Sequence, residues 1–172
     1  DPLLFVPGTT TPVTALTGKR HATGLEFDAA GRITPAWELF TSWAWIPIAK
    51  VDQAAPCPPA PAACAQAAAG ERPGDRPALT PKWSGTVWTT YQINEQWRAG
   101  AGVNYRSRQT PTRGAWQVPA VTTVDVMGEY RASEKWKVRG NISNLANKYY
   151  ADQLYPGFYV PGAGRNVQVT AT

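Results

Sequence analysis

Along much of the chain, apolar and polar residues alternate with a period of two, the mark of a strand with unlike faces. From Arg98 to Arg108 the even positions are Arg, Gly or Asn, and the odd ones are Ala, Val, Tyr and Ser. In Lys82 to Ile93, Trp83, Val87, Tyr91 and Ile93 oppose Lys82, Ser84, Thr86, Thr90 and Gln92, with Trp88 as the exception. Val124, Val126 and Tyr130 oppose Thr123, Asp125, Glu129 and Arg131; Trp136, Val138 and Ile142 oppose Lys137, Arg139 and Asn141; Val167 and Val169 oppose Asn166, Gln168 and Thr170. Leu25, Phe27 and Ala29 alternate with Gly24, Glu26 and Asp28, while Glu38 to Val51 is a longer apolar run whose facing stays open. The pattern predicts seven strands: 12–30, 36–51, 79–93, 96–108, 119–131, 135–150 and 164–172.

The connections alternate as well. Short turns at 30–36, 94–96 and 132–135 separate long stretches at about 52–77, 109–118 and 151–163. Short turns at one end and long loops at the other are the layout of an outer-membrane β-barrel. A soluble sandwich or lipocalin-like barrel shares the alternation. Two features favour the membrane barrel. Trp83, Trp97, Trp116, Trp136, Tyr91, Tyr105, Tyr130, Tyr149 and Tyr150 sit near strand ends, as interfacial girdles require. The polar faces carry charges of both signs, costly in a dry core and cheap in a wet lumen. An odd strand count leaves unpaired edges that hydrocarbon does not tolerate. The seven strands are therefore expected to belong to a larger barrel, or residues 1–11 to add an eighth.

Composition narrows the picture. The longest apolar run, Trp43 to Ala49, has seven residues and contains Pro47, so no transmembrane helix fits. The chain opens Asp1-Pro2-Leu3-Leu4 without a signal peptide, as expected of a processed or internal piece. The net charge of +5 comes from scattered Lys and Arg with no run longer than Lys19-Arg20, which favours solvated charges over nucleic-acid binding. Cys57 and Cys64 lie in the Ala- and Pro-rich stretch Ala54 to Ala69. A disulfide closing a short loop is expected there, with two free thiols as the alternative. A metal pair is disfavoured because His21 is the only histidine.

Catalysis finds little to work with. A Ser/His/Asp relay would have to use His21, and no nucleophile lies near it in sequence. Glu26 and Asp28 have a spacing a glycosidase could use, but are expected to balance arginines and lysines of a lumen. No enzyme and no metal site is expected.

Several segments resemble TonB-dependent outer-membrane siderophore receptors. Asn144-Leu145-Ala146-Asn147-Lys148-Tyr149-Tyr150 is similar to their NLFDKKYY-like segment, and Pro161-Gly162-Ala163-Gly164-Arg165-Asn166-Val167-Gln168-Val169-Thr170 to their last strand. Gly18 to Phe27, Ile33 to Glu38 and Leu79 to Lys82 resemble upstream strand and turn motifs in the same order, and Tyr155 to Gly162 resembles the final loop of ferric-catecholate receptors. Trp83 stands where the family often has His, Thr23 where it often has Ser, and Thr172 where it has a terminal aromatic. The resemblance implies that residues 1–172 form the C-terminal part of a 22-stranded antiparallel transmembrane barrel in the bacterial outer membrane, among lipid and lipopolysaccharide. It implies TonB-dependent ferric siderophore uptake, with TonB–ExbB–ExbD engaged through an N-terminal plug domain that these residues do not include. Iron would arrive only as the ferric siderophore, without a further cofactor. A self-contained small outer-membrane barrel with a structural or adhesive role is the alternative.

Ferric catecholates are anionic and aromatic, so their recognition calls for guanidinium groups and stacking rings. The expected ligand-binding residues are Arg106, Arg108, Arg113 and Trp116 from the 109–118 loop and its strand end, and Tyr155, Phe158 and Tyr159 from the 151–163 loop.

Overall fold

The computed structural model describes residues 3–5, 12–14, 18–53, 72–109, 117–155 and 158–172. The described regular structure is all strand: β1 (Leu3–Phe5), β2 (Pro12–Thr14), β3 (Lys19–Thr34), β4 (Trp37–Gln53), β5 (Trp83–Gln92), β6 (Trp97–Arg106), β7 (Val121–Arg131), β8 (Lys137–Ser143), β9 (Ala151–Tyr155), β10 (Phe158–Pro161) and β11 (Asn166–Ala171). Seven of them form one antiparallel sheet in the order β11-β8-β7-β6-β5-β4-β3. Two small hairpins, β1–β2 and β9–β10, stand apart from this wall.

Cross-strand register sorts the side chains by face. Trp43, Gly85 and Tyr105 are aligned across β4, β5 and β6, and so are Thr41, Val87, Val103 and Val124 across β4 to β7. The adjacent row on the same face runs Leu39, Thr89, Ala101, Val126, Ile142 and Val167, from β4 to β11. This face is mainly apolar, with Thr41 and Thr89 as exceptions. The opposite face carries Gln92, Arg98 and Glu129 in one row, Glu38 and Thr90 in the next, and Thr86, Asn104 and Thr123 in another.

The two faces are held by different chemistry. On the polar face Arg98 pairs with Glu38 and donates to Thr90, Arg32 also reaches Glu38, and Asn104 bridges Thr86 to Asp125. Arg139 Nε donates to Glu129 Oε2 at 2.8 Å. Among the described residues no layer covers the apolar face. Among the described residues the buried hydrophobic side chains are Ala49, Val51 and Ala151, while Leu25, Phe27, Val167 and Val169 are exposed, Val169 by 68%. The apolar flanks do not meet in a soluble core, so a compact sandwich is excluded for these strands.

Aromatic rings border the apolar face at both ends. At the short-turn end, Trp97 and Tyr130 pack with ring centroids 4.6 Å apart, next to Trp37 and Tyr91. At the long-loop end, Trp45 stacks on Trp83 at 5.2 Å, and Trp43 lies 6.5 Å from Tyr105. Trp83 and Tyr91, at opposite ends of β5, are separated by roughly 27 Å of extended strand, or roughly 20 Å of height at a barrel tilt of about 40°. That is close to the apolar band of a transmembrane barrel, about 25 Å tall.

The turns follow from local chemistry. Pro35 and Ala36 alone join β3 to β4, so β3 runs to Thr34, further than the expected end at residue 30. The Asn94 side chain accepts from the backbone of Gln96 and Trp97, closing the β5–β6 turn.

Four expectations need correction. The predicted first strand, 12–30, divides: Pro12–Thr14 pairs with Leu3–Phe5, and the wall begins at Lys19. Of residues 1–11, the described Leu3–Phe5 supply one strand of a small hairpin and do not join the wall as an eighth strand. The predicted sixth strand, 135–150, stops at Ser143, because Asn144 and Asn147 take left-handed φ of 49° and 51°. The expected loop at 151–163 contains the β9–β10 hairpin.

The open facing of Glu38 to Val51 is also resolved. Trp37, Leu39, Thr41, Trp43 and Trp45 lie on the apolar face. The β3–β4 register then slips between Thr23 and Leu25, with Ile46 and Pro47 the extra length on β4. Gly24 faces this bulge, and a Cβ there would strike the Trp45 carbonyl oxygen. Trp88, the exception in β5, lies on the polar face with its indole against Gly102, where a Cβ would collide with the ring.

Candidate functional site

Three long connections converge at one end of the polar face, and the last residue of β6, Arg106, joins them. Arg106 shares its face with Asn104 and Arg98 and is half-buried. Its Nη1 donates to the Asp152 carbonyl at 3.1 Å, and its Nη2 to the carbonyl of buried Ala151. Gln109, also buried, pairs with Val118 through both backbone groups, and its Nε2 donates to the Leu79 carbonyl at 2.7 Å. Between them opens a cleft of about 380 Å³ lined by Leu79, Arg106, Gln109, Asp152, Gln153 and Tyr155.

The hairpin over this cleft presents aromatic surface. Tyr155 pairs with Phe158, and their rings stack with centroids 4.8 Å apart and planes 12° from parallel. The Tyr155 hydroxyl donates to Gln153 Oε1 at 3.1 Å, fixing the outer end of the stack. Strand alternation puts Tyr159 on the other face, where its hydroxyl lies 2.9 Å from that of Tyr149. This hydrogen bond holds the Tyr149 phenol above its ordinary pKa.

The hairpin's base is tied by asparagine. Asn144 is buried; its Nδ2 donates to the Lys148 and Ala163 carbonyls, its Oδ1 accepts from Lys148 N, and its own N–H donates to Asp125. Asn147 Oδ1 accepts from Arg165 N at 2.9 Å. Asparagine suits both positions because its short amide tolerates left-handed backbone and bonds locally. The 144–150 segment is thus a knot that turns the chain from β8 into β9 and returns it to β11.

The expected ligand-binding residues divide. Arg106 and Tyr155 line the same cleft, with Phe158 stacked on Tyr155. Tyr159 belongs to the opposite face of the hairpin. Arg108 is exposed beyond the strand end, with no ion-pair or hydrogen-bond partner among the described residues. Arg113, Trp116 and the Cys57–Cys64 pair lie outside the described residues.

Sequence reasoning missed Gln109 and Arg76. Arg76 donates to the carbonyls of Ile46, Pro47, Thr80 and Pro81, satisfying the β4 bulge and fastening the segment that carries Leu79. Neither residue had a usable sequence signal, since their partners are backbone carbonyls, which any residue type supplies. A second hollow of about 350 Å³ lies nearer the short turns, where Phe40 and Trp88 sit among Arg32, Glu38 and Arg98.

Catalytic machinery is not assembled among the described residues. His21 Nδ1 lies 2.7 Å from Asp52 Oδ1, and no hydroxyl is hydrogen-bonded to its ring. Glu26 and Asp28 fall on the polar face, opposite Ala44 and Ser42, and make no ion pair with a described residue.

Comparison with known proteins agrees with this architecture. Residues 1–145 match the family model described as TonB dependent receptor-like, beta-barrel. A probable TonB-dependent receptor, BfrD of Bordetella pertussis, is 27% identical over 164 residues, 89% of this chain and 20% of its own. The catecholate siderophore receptor Fiu of Escherichia coli K12 is 29% identical over 165 residues, 90% of this chain and 20% of its own. Among solved structures, the siderophore receptor PiuA from Acinetobacter baumannii superposes with a TM-score of 0.74 at 23% identity, over 90% of this chain and 22% of that one. The closed form of Fiu gives 0.72 at 24% identity, over 90% and 21%. The chain spans about a fifth of the length of these curated relatives. An apolar outer face, a polar inner face and the match over residues 1–145 identify this chain as a member of the TonB-dependent receptor β-barrel family.

Proposed function

We propose that this chain is the C-terminal part of the wall of an outer-membrane receptor that imports ferric siderophores, with ferric catecholates as the favoured cargo. The observation that carries the reading is the cleft at the long-loop end, where the Arg106 guanidinium and the stacked Tyr155–Phe158 rings meet. A cationic edge beside planar rings is complementary to an anionic, aromatic iron chelate. Arg108, Arg113, Trp116 and Tyr159 are proposed as outer contacts of the same ligand.

In this reading the long-loop end faces the medium and the short turns face the periplasm. The apolar face meets lipid, and lipopolysaccharide surrounds the outer girdle. The two open sheet margins, β3 and β11, pair with other strands of a 22-stranded barrel. A plug domain of the same receptor fills the lumen and couples it to TonB–ExbB–ExbD. Iron passes as chelated cargo, so no resident cofactor is needed.

The test is uptake of radiolabelled ferric catecholate by cells expressing the full-length receptor. Accumulation that depends on both the receptor and TonB is expected. Uptake unchanged by deleting the receptor would overturn the cargo assignment. Residues 1–172 refolding alone in detergent with heat-modifiable gel mobility would instead favour the self-contained barrel.

A further inference from the structure

We propose that Arg106 is a positioning residue: it latches the β9–β10 hairpin to the wall and so sets the stacked Tyr155–Phe158 pair over the cleft. The role rests on the proposed uptake reading, but its geometry stands on its own. The guanidinium is a rigid planar fork with five donors. Two of its nitrogens are committed to the carbonyls of Ala151 and Asp152, the first residues of β9. Arg106 therefore holds the start of β9 as well as lining the cleft.

The anchor is on the stiffest part of the molecule. β6 pairs along its whole length with both β5 and β7, and Arg106 itself is in register with Ser84 and Val121. The hairpin, by contrast, pairs only with itself. Its other ties are local: Gly162 N–H to the Tyr150 carbonyl, the Asn144 knot at its base, and the Tyr149–Tyr159 hydroxyl pair. Among the described contacts, Arg106 alone bonds the hairpin strands to a wall strand. Buried Ala151 sits where that bond lands, and Tyr155 begins four residues on, inside the same cleft. Freeing the carbonyls would let the hairpin swing while β6 stays fixed.

The experiment is hydrogen exchange of the full-length receptor in detergent or nanodiscs, comparing wild type, R106Q and R106K. Residues 151–161 are expected to exchange about tenfold faster in R106Q, with β6 and β7 unchanged. Lysine keeps the charge but not the fork, so R106K should fall between the two. Hairpin exchange within twofold of wild type in R106Q overturns the latch, and so does acceleration that spreads equally through β6 and β7. If R106Q does not insert, R106K decides: exchange equal to wild type overturns the proposal. Binding of a ferric catecholate, followed by quenching of tryptophan fluorescence, should weaken in R106Q in step with hairpin exchange. A receptor that binds no ferric catecholate in any form refutes the uptake reading while leaving the exchange result to decide the latch.

Discussion

The apolar and polar faces of the wall share one backbone and one hydrogen-bond ladder, yet they tolerate different chemistry. The polar face is knitted by Glu38–Arg98, Glu129–Arg139 and the Thr86–Asn104–Asp125 chain. The apolar face is made mainly of aliphatic side chains between two rows of rings, with Trp37 Nε1 donating to Thr89 Oγ1 at its short-turn end. The difference locates the sheet's specificity. One face is defined by what it contacts in its own chain, the other by the solvent it is offered.

The largest expected effect is a charge on the apolar face. Ala101 lies mid-strand on β6, between Thr89 and Val126. Ala101→Arg should destabilise the full-length receptor in lipid vesicles by about 2–4 kcal/mol. Met127→Arg, next to Ala101's partner Val126 but on the polar face of β7, should cost less than about 1 kcal/mol. Urea unfolding followed by tryptophan fluorescence compares the two, and equal costs would erase the distinction between the faces. Next comes the knot at the long-loop end. Asn144→Ala loses three side-chain hydrogen bonds at a buried left-handed position and should cost about 2–3 kcal/mol in the same assay.

The distinction between faces is also what made parts of the fold legible. β6 alternates strictly, β5 and β7 largely do so, with Trp88 and Met127 as exceptions, and the observed spans of all three lie inside the predicted ones. β4 resisted because Phe40 and Ala44 put apolar groups on the polar side and the Ile46–Pro47 bulge shifts the phase. Trp88 broke the pattern because the glycines opposite it make room for a ring. At the site, charge and aromatic chemistry pointed to Arg106, Tyr155 and Phe158. The latch itself was invisible, since backbone carbonyls leave no mark in a sequence. Tyr159 could not be separated from Tyr155 without the hairpin register.

Two smaller effects sharpen the comparison. Glu129→Gln weakens the pair with Arg139, a side chain 44% exposed, so solvent screening limits the loss to about 1 kcal/mol or less. Its unfolding midpoint should move least in high salt, where the wild-type pair is already screened. The smallest effect lies outside the wall. Tyr159→Phe removes the hydrogen bond that raises the Tyr149 pKa, which should fall back toward the ordinary phenol value of 10.0. Ultraviolet titration at tyrosinate wavelengths reads this directly. Because the folded-state pKa is the raised one, the bond supports the hairpin fully below the ordinary phenol range. That support is lost as pH climbs through the raised value.

The order β11-β8-β7-β6-β5-β4-β3 is an uninterrupted meander, broken only where β9 and β10 fold back on themselves. Every ladder in it joins strands adjacent in the chain or separated by that single excursion. Such a wall can grow by adding one strand at a time, and even its long connections cost little more to close than its short turns, because closure entropy rises only with the logarithm of loop length. Synthesis order and zipping order can therefore coincide, and the slow step is left to the seam where the finished ribbon meets its far neighbour.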